Sequence, residues 1–222
     1  MPKIVKNIYE NDIATTEKKY AQQIGGECFD FATIALCNVN ITAGAILSLG
    51  YKYAGTGNKN AASLIERFIH KLRKAKIANQ MSQNLLHQIY TDQNKNLIDK
   101  YTQENCLCMA ALAMSMVMAG TGDQDCFRAI RIVRKRLETN DNNYGHQMAI
   151  SMALGFLFLG SGAFTLGRSK FQIACLMTAL FPVFPKEPSE NRFHLQATRH
   201  FWVLAVESRL LQARDVDTNE FI

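Results

Sequence analysis

Three segments of the chain end alike, and that recurrence constrains the fold more than any other feature. Gly44-Ala-Ile-Leu-Ser-Leu-Gly50-Tyr-Lys-Tyr-Ala54 runs into Gly55-Thr56-Gly57. Met109-Ala-Ala-Leu-Ala-Met-Ser115-Met-Val-Met-Ala119 runs into Gly120-Thr121-Gly122, and Ala149-Ile-Ser-Met-Ala-Leu-Gly155-Phe-Leu-Phe-Leu159 into Gly160-Ser161-Gly162. A fixed-period recurrence of this kind marks stacked supersecondary units. The turns start 65 and then 40 residues apart, so the second interval fits one helical hairpin and the first carries an insertion of about 25 residues. At each copy an apolar helix rich in small residues arrives at glycine, which takes the left-handed conformation at a helix C-terminus without a steric penalty. Asn58 and Asp123 stand three residues after the first glycine of their copies and are suited to cap a following helix. The third copy has Ala163 there, which leaves Thr165 or Ser169 as the cap after a longer connection, Phe164 to Ser169.

The helices that follow the turns differ from those that precede them. Lys59 to about Lys76 is amphipathic, with Ala62, Leu64, Ile65, Phe68, Ile69 and Leu72 on one face, and Gln124 to Glu138 repeats the pattern with Phe127, Ile130, Ile132, Val133 and Leu137. Each unit therefore pairs an inner, nearly all-apolar helix with an outer amphipathic one. Ala45, Ser48, Gly50, Ala110, Ala113, Ser115, Ala153 and Gly155 are small enough to let neighbouring inner helices approach closely. Three stretches carry no charge: Phe31 to Tyr51, Asn105 to Gly122 and Asn142 to Gly167. Their continuously apolar centres run about 10–14 residues, the length of a core helix rather than a membrane span. A mean hydropathy of -0.09 agrees. We expect an all-α superhelix of helix-turn-helix units that buries one continuous core.

The rest of the chain is less regular. Residues 1–26 read as a flexible arm without a signal-peptide pattern. Repeats are expected over about 27–78, 103–140, 143–185 and 190–211, with an inserted loop over about 79–102 and a tail from 212 to 222. The insert, rich in Gln and Asn from Asn79 to Glu104, holds some helical spacing in Leu85, Leu86, Ile89 and Tyr90. Gln172 to Phe181 reads as a third amphipathic helix, stopped by Pro182, Pro185 and Pro188. Asn191 to Leu211 reads as a last helix with a break near Glu207, and strand signals are weak throughout.

No reactive constellation is legible. Cys28, Cys37, Cys106, Cys108, Cys126 and Cys175 form no Cys-x-x-Cys pair, so they read as buried structural thiols of a reducing, intracellular compartment. His70, His87, His146, His194 and His200 match no zinc-ligand spacing and read as surface or hydrogen-bonded residues. Asp215-Val-Asp217-Thr-Asn219 starts like a calcium loop but has Glu220 where the turn needs glycine. The Gly-Thr-Gly turns lack the preceding strand and the Lys-Ser/Thr of a phosphate loop. We therefore expect no catalytic residue, metal or cofactor. Two basic clusters stand out: Arg67, Lys71, Arg73, Lys74 and Lys76 on one outer helix, and Arg128, Arg131, Arg134, Lys135 and Arg136 on the next. Arg128, Arg131 and Lys135 share a face, as do Arg67, Lys71 and Lys74. These six are the candidate partner-binding residues, for an acidic protein surface or a phosphate backbone, against the plainer reading of a solvated outer face. Few aromatics are interleaved, which disfavours single-stranded nucleic acid.

The pattern Gly-Ala-x-Leu-Ser-Leu-Gly followed by Gly-Thr-Gly resembles the proteasome/cyclosome repeat. Ala113-Met-Ser-Met-Val-Met-Ala-Gly-Thr-Gly122, Asn143-Tyr-Gly-His146, Met152-Ala-Leu-Gly-Phe-Leu-Phe-Leu-Gly160, Asn191-Arg-Phe-His-Leu-Gln-Ala-Thr-Arg-His200 and Arg214-Asp-Val-Asp-Thr-Asn219 occur in the order found in the largest, scaffold subunits of the anaphase-promoting complex, and Pro2-Lys-Ile-Val5 is similar to the connection before those repeats. The resemblance covers nearly the whole chain except Asn79 to Glu104. It implies that the chain is a segment of a far longer subunit, whose repeats close into a ring and which continues into a β-rich portion. It also implies a non-catalytic scaffold in a cell-cycle ubiquitin ligase of nucleus and cytoplasm. The expected partners are the catalytic cullin/RING module and the substrate-receptor and helical-repeat subunits, with no membrane, nucleic acid or small-molecule substrate. Gly44, Gly50, Gly55, Gly57, Gly120, Gly122, Gly155, Gly160 and Gly162 map as structural glycines of the repeat turns. Two alternatives are a scaffold of the proteasome regulatory particle, which recruits ubiquitin receptors or shuttle factors, and a basic helical-repeat protein that binds nucleic acid.

Overall fold

The computed structural model describes residues 31–74, 99–138, 143–190, 192, 196–209, 215–218 and 220. The expected arm over 1–26, the periodic residues Leu85 to Tyr90, and Cys28, Lys76, His87 and His194 lie outside the described residues. The element order is α1 (Phe31–Lys52), α2 (Lys59–Lys74), α3 (Lys100–Val117), α4 (Gln124–Glu138), α5 (Tyr144–Leu157), a short 3-10 turn (Leu159–Gly162), β1 (Phe164–Leu166), α6 (Lys170–Ala179), a 3-10 helix (Gln196–Ala205) and β2 (Val206–Ser208). The inner row α1–α3–α5 stacks through its middle member, and α2 and α4 lie beside each other against that row.

Local chemistry starts these helices where the sequence places them. Asn58 Oδ1 accepts the Ala61 N–H at 3.0 Å, and Asp123 Oδ1 accepts those of Asp125 and Cys126 at 3.1 and 2.9 Å. Such caps contribute about 1 kcal/mol each. Of the two candidates for α6, Ser169 is the cap, in a reciprocal box with Gln172. Thr165 does different work, described below. Asp99 caps α3, so the stretch expected to be an inserted connection up to Glu104 becomes helical at Lys100, and Gln103 and Glu104 are buried in α3.

The turns are wired identically in the first two copies. Thr56 Oγ1 donates to Tyr53 O and accepts from Asn58 N–H; Thr121 Oγ1 does the same with Met118 O and Asp123 N–H. Gly55 N–H then donates to Met116 O and Gly57 N–H to Val117 O, both at 2.8 Å. One unit on, Gly120 N–H donates to Phe156 O at 2.9 Å and Gly122 N–H to Leu157 O at 3.0 Å. Each turn thus supplies amides to the last carbonyls of the next inner helix, which lack the usual i+4 donor, although Met116 O also takes the Ala119 N–H at 3.4 Å. The third copy breaks the pattern: Ser161 stands at φ 56° between two glycines, and the chain makes a 3-10 turn instead.

Inner helices approach closely where the small residues predict it. A Cβ on Gly50 would come within 2.7 Å of Ala113 Cα. Ala110, Ala113, Ser115 and Ala153 are buried, whereas Ser48 and Gly155 are exposed. Gly44, Gly50 and Gly155 lie inside α1 and α5, not in turns as the repeat pattern suggested. In α3 every residue from Ala110 to Val117 is buried.

The C-terminal elements depart from expectation. In place of the α-helix expected over Asn191 to Leu211, the described residues 196–208 form a 3-10 helix that passes into β2 at Val206. β2 pairs antiparallel with β1, Thr165 opposite Glu207. Three-residue strands carry too little alternation to be read from a sequence. Helix α6 begins two residues earlier than expected and is apolar on both faces: Cys175, Leu176 and Ala179 are buried, while Phe171 is 63% and Met177 54% exposed. The all-α helical-repeat architecture nevertheless holds, with this two-stranded ribbon as its only sheet among the described residues.

The ribbon lies across the row of turns. Thr165 Oγ1 is 3.2 Å from Ala119 O and 3.3 Å from Gly55 O, and Arg209 Nη1 donates to Gly120 O at 2.6 Å. A methyl on Gly55 would collide with the Leu166 carbonyl, and one on Gly120 with the Phe164 carbonyl; both glycines have φ near +70°. Gly120→Ala should therefore destabilise the protein by about 2–4 kcal/mol, from left-handed strain plus displacement of β1. Gly155→Ala, with nothing within 4 Å of the new methyl, should be neutral or stabilising by up to about 1 kcal/mol. Urea unfolding of the two variants against the parent checks the contrast.

Candidate functional site

Cys106, Cys108, Cys126 and Cys175 are buried and Cys37 is exposed, so the expectation of buried thiols fails at Cys37. Burial pushes the Cys106 and Cys126 thiols up to about 12, with lesser help from Asp99 and from Asp123 and Glu66 respectively, and raises Cys108 as well. Thiols held protonated are poor nucleophiles and poor metal ligands. Among the described residues no group of three or more His, Cys, Asp or Glu is placed to hold a metal ion, and no helix is long and apolar enough to cross a membrane. Asp215 Oδ1 accepts the N–H groups of Asp217 and Thr218 at 2.9 Å each, so this carboxylate closes a turn, and these bonds hold it below the usual carboxylate range.

His146 is the one histidine buried among the described residues. It sits in the first turn of α5, and its Nε2–H donates to Asn105 Oδ1 at 2.6 Å. Tyr101 and Phe184 flank the ring at 5.8 and 6.1 Å between centroids. Nδ1 lies 3.8 Å from Glu104 Oε2 and has no hydrogen-bond partner. Burial pushes the imidazole down to about 4, so the ring is neutral at neutral pH and the Glu104 contact is not an ion pair. This cluster joins α3 and α5 to the Phe184–Pro185 segment, whose Pro185 O accepts the Gly145 N–H at 2.8 Å. It reads as a packing joint, in line with the expectation of a hydrogen-bonded histidine. His70 and His200 are exposed.

Because the unfolded chain binds a proton near pH 6.5 that the folded chain refuses until about pH 4, this site favours folding fully above 6.5. That contribution is lost as the pH falls toward 4. Between pH 7 and 4.5 the His146-specific loss should be about 2–3 kcal/mol. The stability difference between the parent and His146→Gln, followed by urea unfolding across that range, should shrink as the pH falls.

The basic candidates come out on the surface as the sequence predicted. Arg67, Lys71 and Lys74 are exposed on α2, and Arg128, Arg131 and Lys135 on α4. Arg128 Nη1 is 3.0 Å from Asp125 Oδ1. The Arg131 guanidinium lies over the Phe127 ring at 5.6 Å, and Phe127 meets Phe158 edge-on at the same distance. Helices α2 and α4 contact each other, and each carries its basic residues exposed. Sequence reasoning missed the residues that fasten the turns from outside, Thr165 and Arg209. Thr165 was visible only as a possible cap, and nothing near Arg209 signals a bond made 89 residues away.

The geometry defines a class first: a stacked helical-repeat segment whose glycines are architectural and whose described residues assemble no reactive centre. Within that class the sequence comparisons are specific. Residues 2–207 match the family described as the APC1 fifth domain, and the chain belongs to that family. It is 42% identical over 189 residues to anaphase-promoting complex subunit 1 of Dictyostelium discoideum, covering 85% of this chain and 8% of that protein. Against the subunit of the same name from Arabidopsis thaliana the identity is 40% over 191 residues, covering 85% of this chain and 11% of the relative. Against the Homo sapiens subunit it is 36% over 219 residues, covering 99% and 10%. The chain thus spans about a tenth of the length of these relatives.

Proposed function

We propose that this chain is a non-catalytic scaffold segment of the anaphase-promoting complex, a ubiquitin ligase of the cell cycle, and that it organises other subunits by rigidity and surface. The carrying observation is the pair of amide rungs from each Gly-Thr-Gly turn into the next inner helix. They lock successive units in one register, which a scaffold needs and an independent catalytic domain does not. Membership in the family supports placing the segment in that complex rather than in the proteasome regulatory particle. The partners in this reading are the cullin/RING module and the substrate-receptor and helical-repeat subunits, in nucleus and cytoplasm. Nucleic acid, membrane and small-molecule substrates have no part in it.

The test is purification of the tagged full-length subunit, with and without residues 31–209, followed by mass spectrometry of what accompanies it. The intact subunit should bring down the complex, and the deleted one should separate the cullin/RING module from the helical-repeat subunits. Proteasome ATPases in the intact sample, or an unchanged complex with unchanged ubiquitin transfer after the deletion, would overturn the reading.

A further inference from the structure

The outer helices concentrate the charge of the molecule. Together α2 and α4 hold ten Lys and Arg against three acidic residues, a net +7, more than the +6 of the whole 222-residue chain. The rest of the chain is therefore close to neutral, and the excess belongs to these two helices. Packing so many like charges on adjacent helices is self-repulsive. Asp125 is engaged with Arg128 in an exposed pair, and Glu66 is half-buried near Cys126.

We propose that the outward faces of α2 and α4 form one docking surface for an acidic segment of another polypeptide, with Arg67, Lys74, Arg128, Arg131 and Lys135 as its cationic contacts. This rests on the scaffold reading and deepens it by naming the surface and the chemistry of its occupant. Spacing favours a polypeptide. Residues three and four apart on a helix rise about 4.5 and 6 Å, comparable to the roughly 6.8 Å between alternate side chains of an extended strand. An extended segment with acids at alternate positions can thus meet successive cations of Arg128, Arg131 and Lys135. Ile132, 39% exposed among these cations, adds an apolar foothold suited to a peptide side chain. Nucleic acid fits less well. The aromatic ring on these helices nearest the basic face, Phe127, is occupied by Arg131 and Phe158, so no free platform for stacked bases accompanies the charge.

The test uses the full-length subunit in its purified complex, with a photo-crosslinking p-benzoylphenylalanine in place of Ile132. The proposal expects a crosslink to a segment rich in Asp, Glu or phosphorylated residues. Its yield should fall at least fivefold with Arg128→Glu/Arg131→Glu/Lys135→Glu, and likewise in the parent at 0.5 M salt, where exposed charges are screened. It should not fall with Arg168→Glu/Lys170→Glu, a reversal of two cations on α6 and its approach. The milder Arg128→Gln/Arg131→Gln/Lys135→Gln variant and the salt arm keep the test decisive if charge reversal impairs assembly. No crosslink, a crosslink to a neutral segment, a crosslink to nucleic acid, or a yield indifferent to charge and salt would overturn the proposal. Recovery of each variant in the complex is scored separately: its loss bears on the scaffold reading, while the crosslink bears on the surface.

Discussion

Four backbone hydrogen bonds hold the repeats in register. A helix that ends leaves its last carbonyls without intrahelical partners, and burying such a group unpaired costs about 1–3 kcal/mol. Here the ends of α3 and α5 are buried, and the amides that satisfy them come from the preceding unit: Gly55 and Gly57 for Met116 and Val117, Gly120 and Gly122 for Phe156 and Leu157. Only backbone at positive φ aims two alternate amides that way, and glycine reaches it without strain. Stacking of neighbours and termination of each helix are thus one event. The close crossing of Gly50 on Ala113 sets how near the rows lie, and the ribbon of β1 and β2 fastens the turns from outside.

This arrangement explains the division of labour among the residues. The middle inner helix α3 can be apolar on every side because neighbours cover it, and it is buried from Ala110 to Val117, whereas α1 and α5 each keep one exposed face, at Ile41 and Ser48 and at Ser151 and Gly155. The outer helices need only one apolar face, which frees the other for arginine and lysine. The buried polar residues are used as joints. His146 ties α5 to Asn105 of α3, and Arg199 donates to Val183 O at 2.9 Å, fastening the 3-10 helix to the segment after α6. Burial lowers the Arg199 basicity.

What the sequence revealed follows the range of the interactions. Caps at Asn58 and Asp123, the amphipathic outer helices and the turns at Gly55 and Gly120 are set by residues within four positions of one another, so they were legible. The exposure of Arg67, Lys74, Arg128 and Lys135 was legible too, because helical periodicity fixes it. The C-terminal elements were not. β1 exists because its carbonyls fit against glycines far upstream, and Thr165 bonds backbone 46 and 110 residues away. Helix α6 deceived for the opposite reason: its apolar residues suggested one buried face, yet Phe171 and Met177 emerge on the other. Gly44 and Gly155 shared the glycine content of the turns but sit within helices.

The most direct test of the account is amide hydrogen exchange, read by mass spectrometry on the full-length subunit, over peptides that cover residues 54–58 and 119–123. Turns of this length normally exchange quickly because their amides face water. If the rungs hold the repeats in register, the Gly55, Gly57, Gly120 and Gly122 amides should exchange as slowly as the buried helix α3. Exchange as fast as at the exposed Ser189 turn would contradict the central claim, because the units would then be stacked by side chains alone.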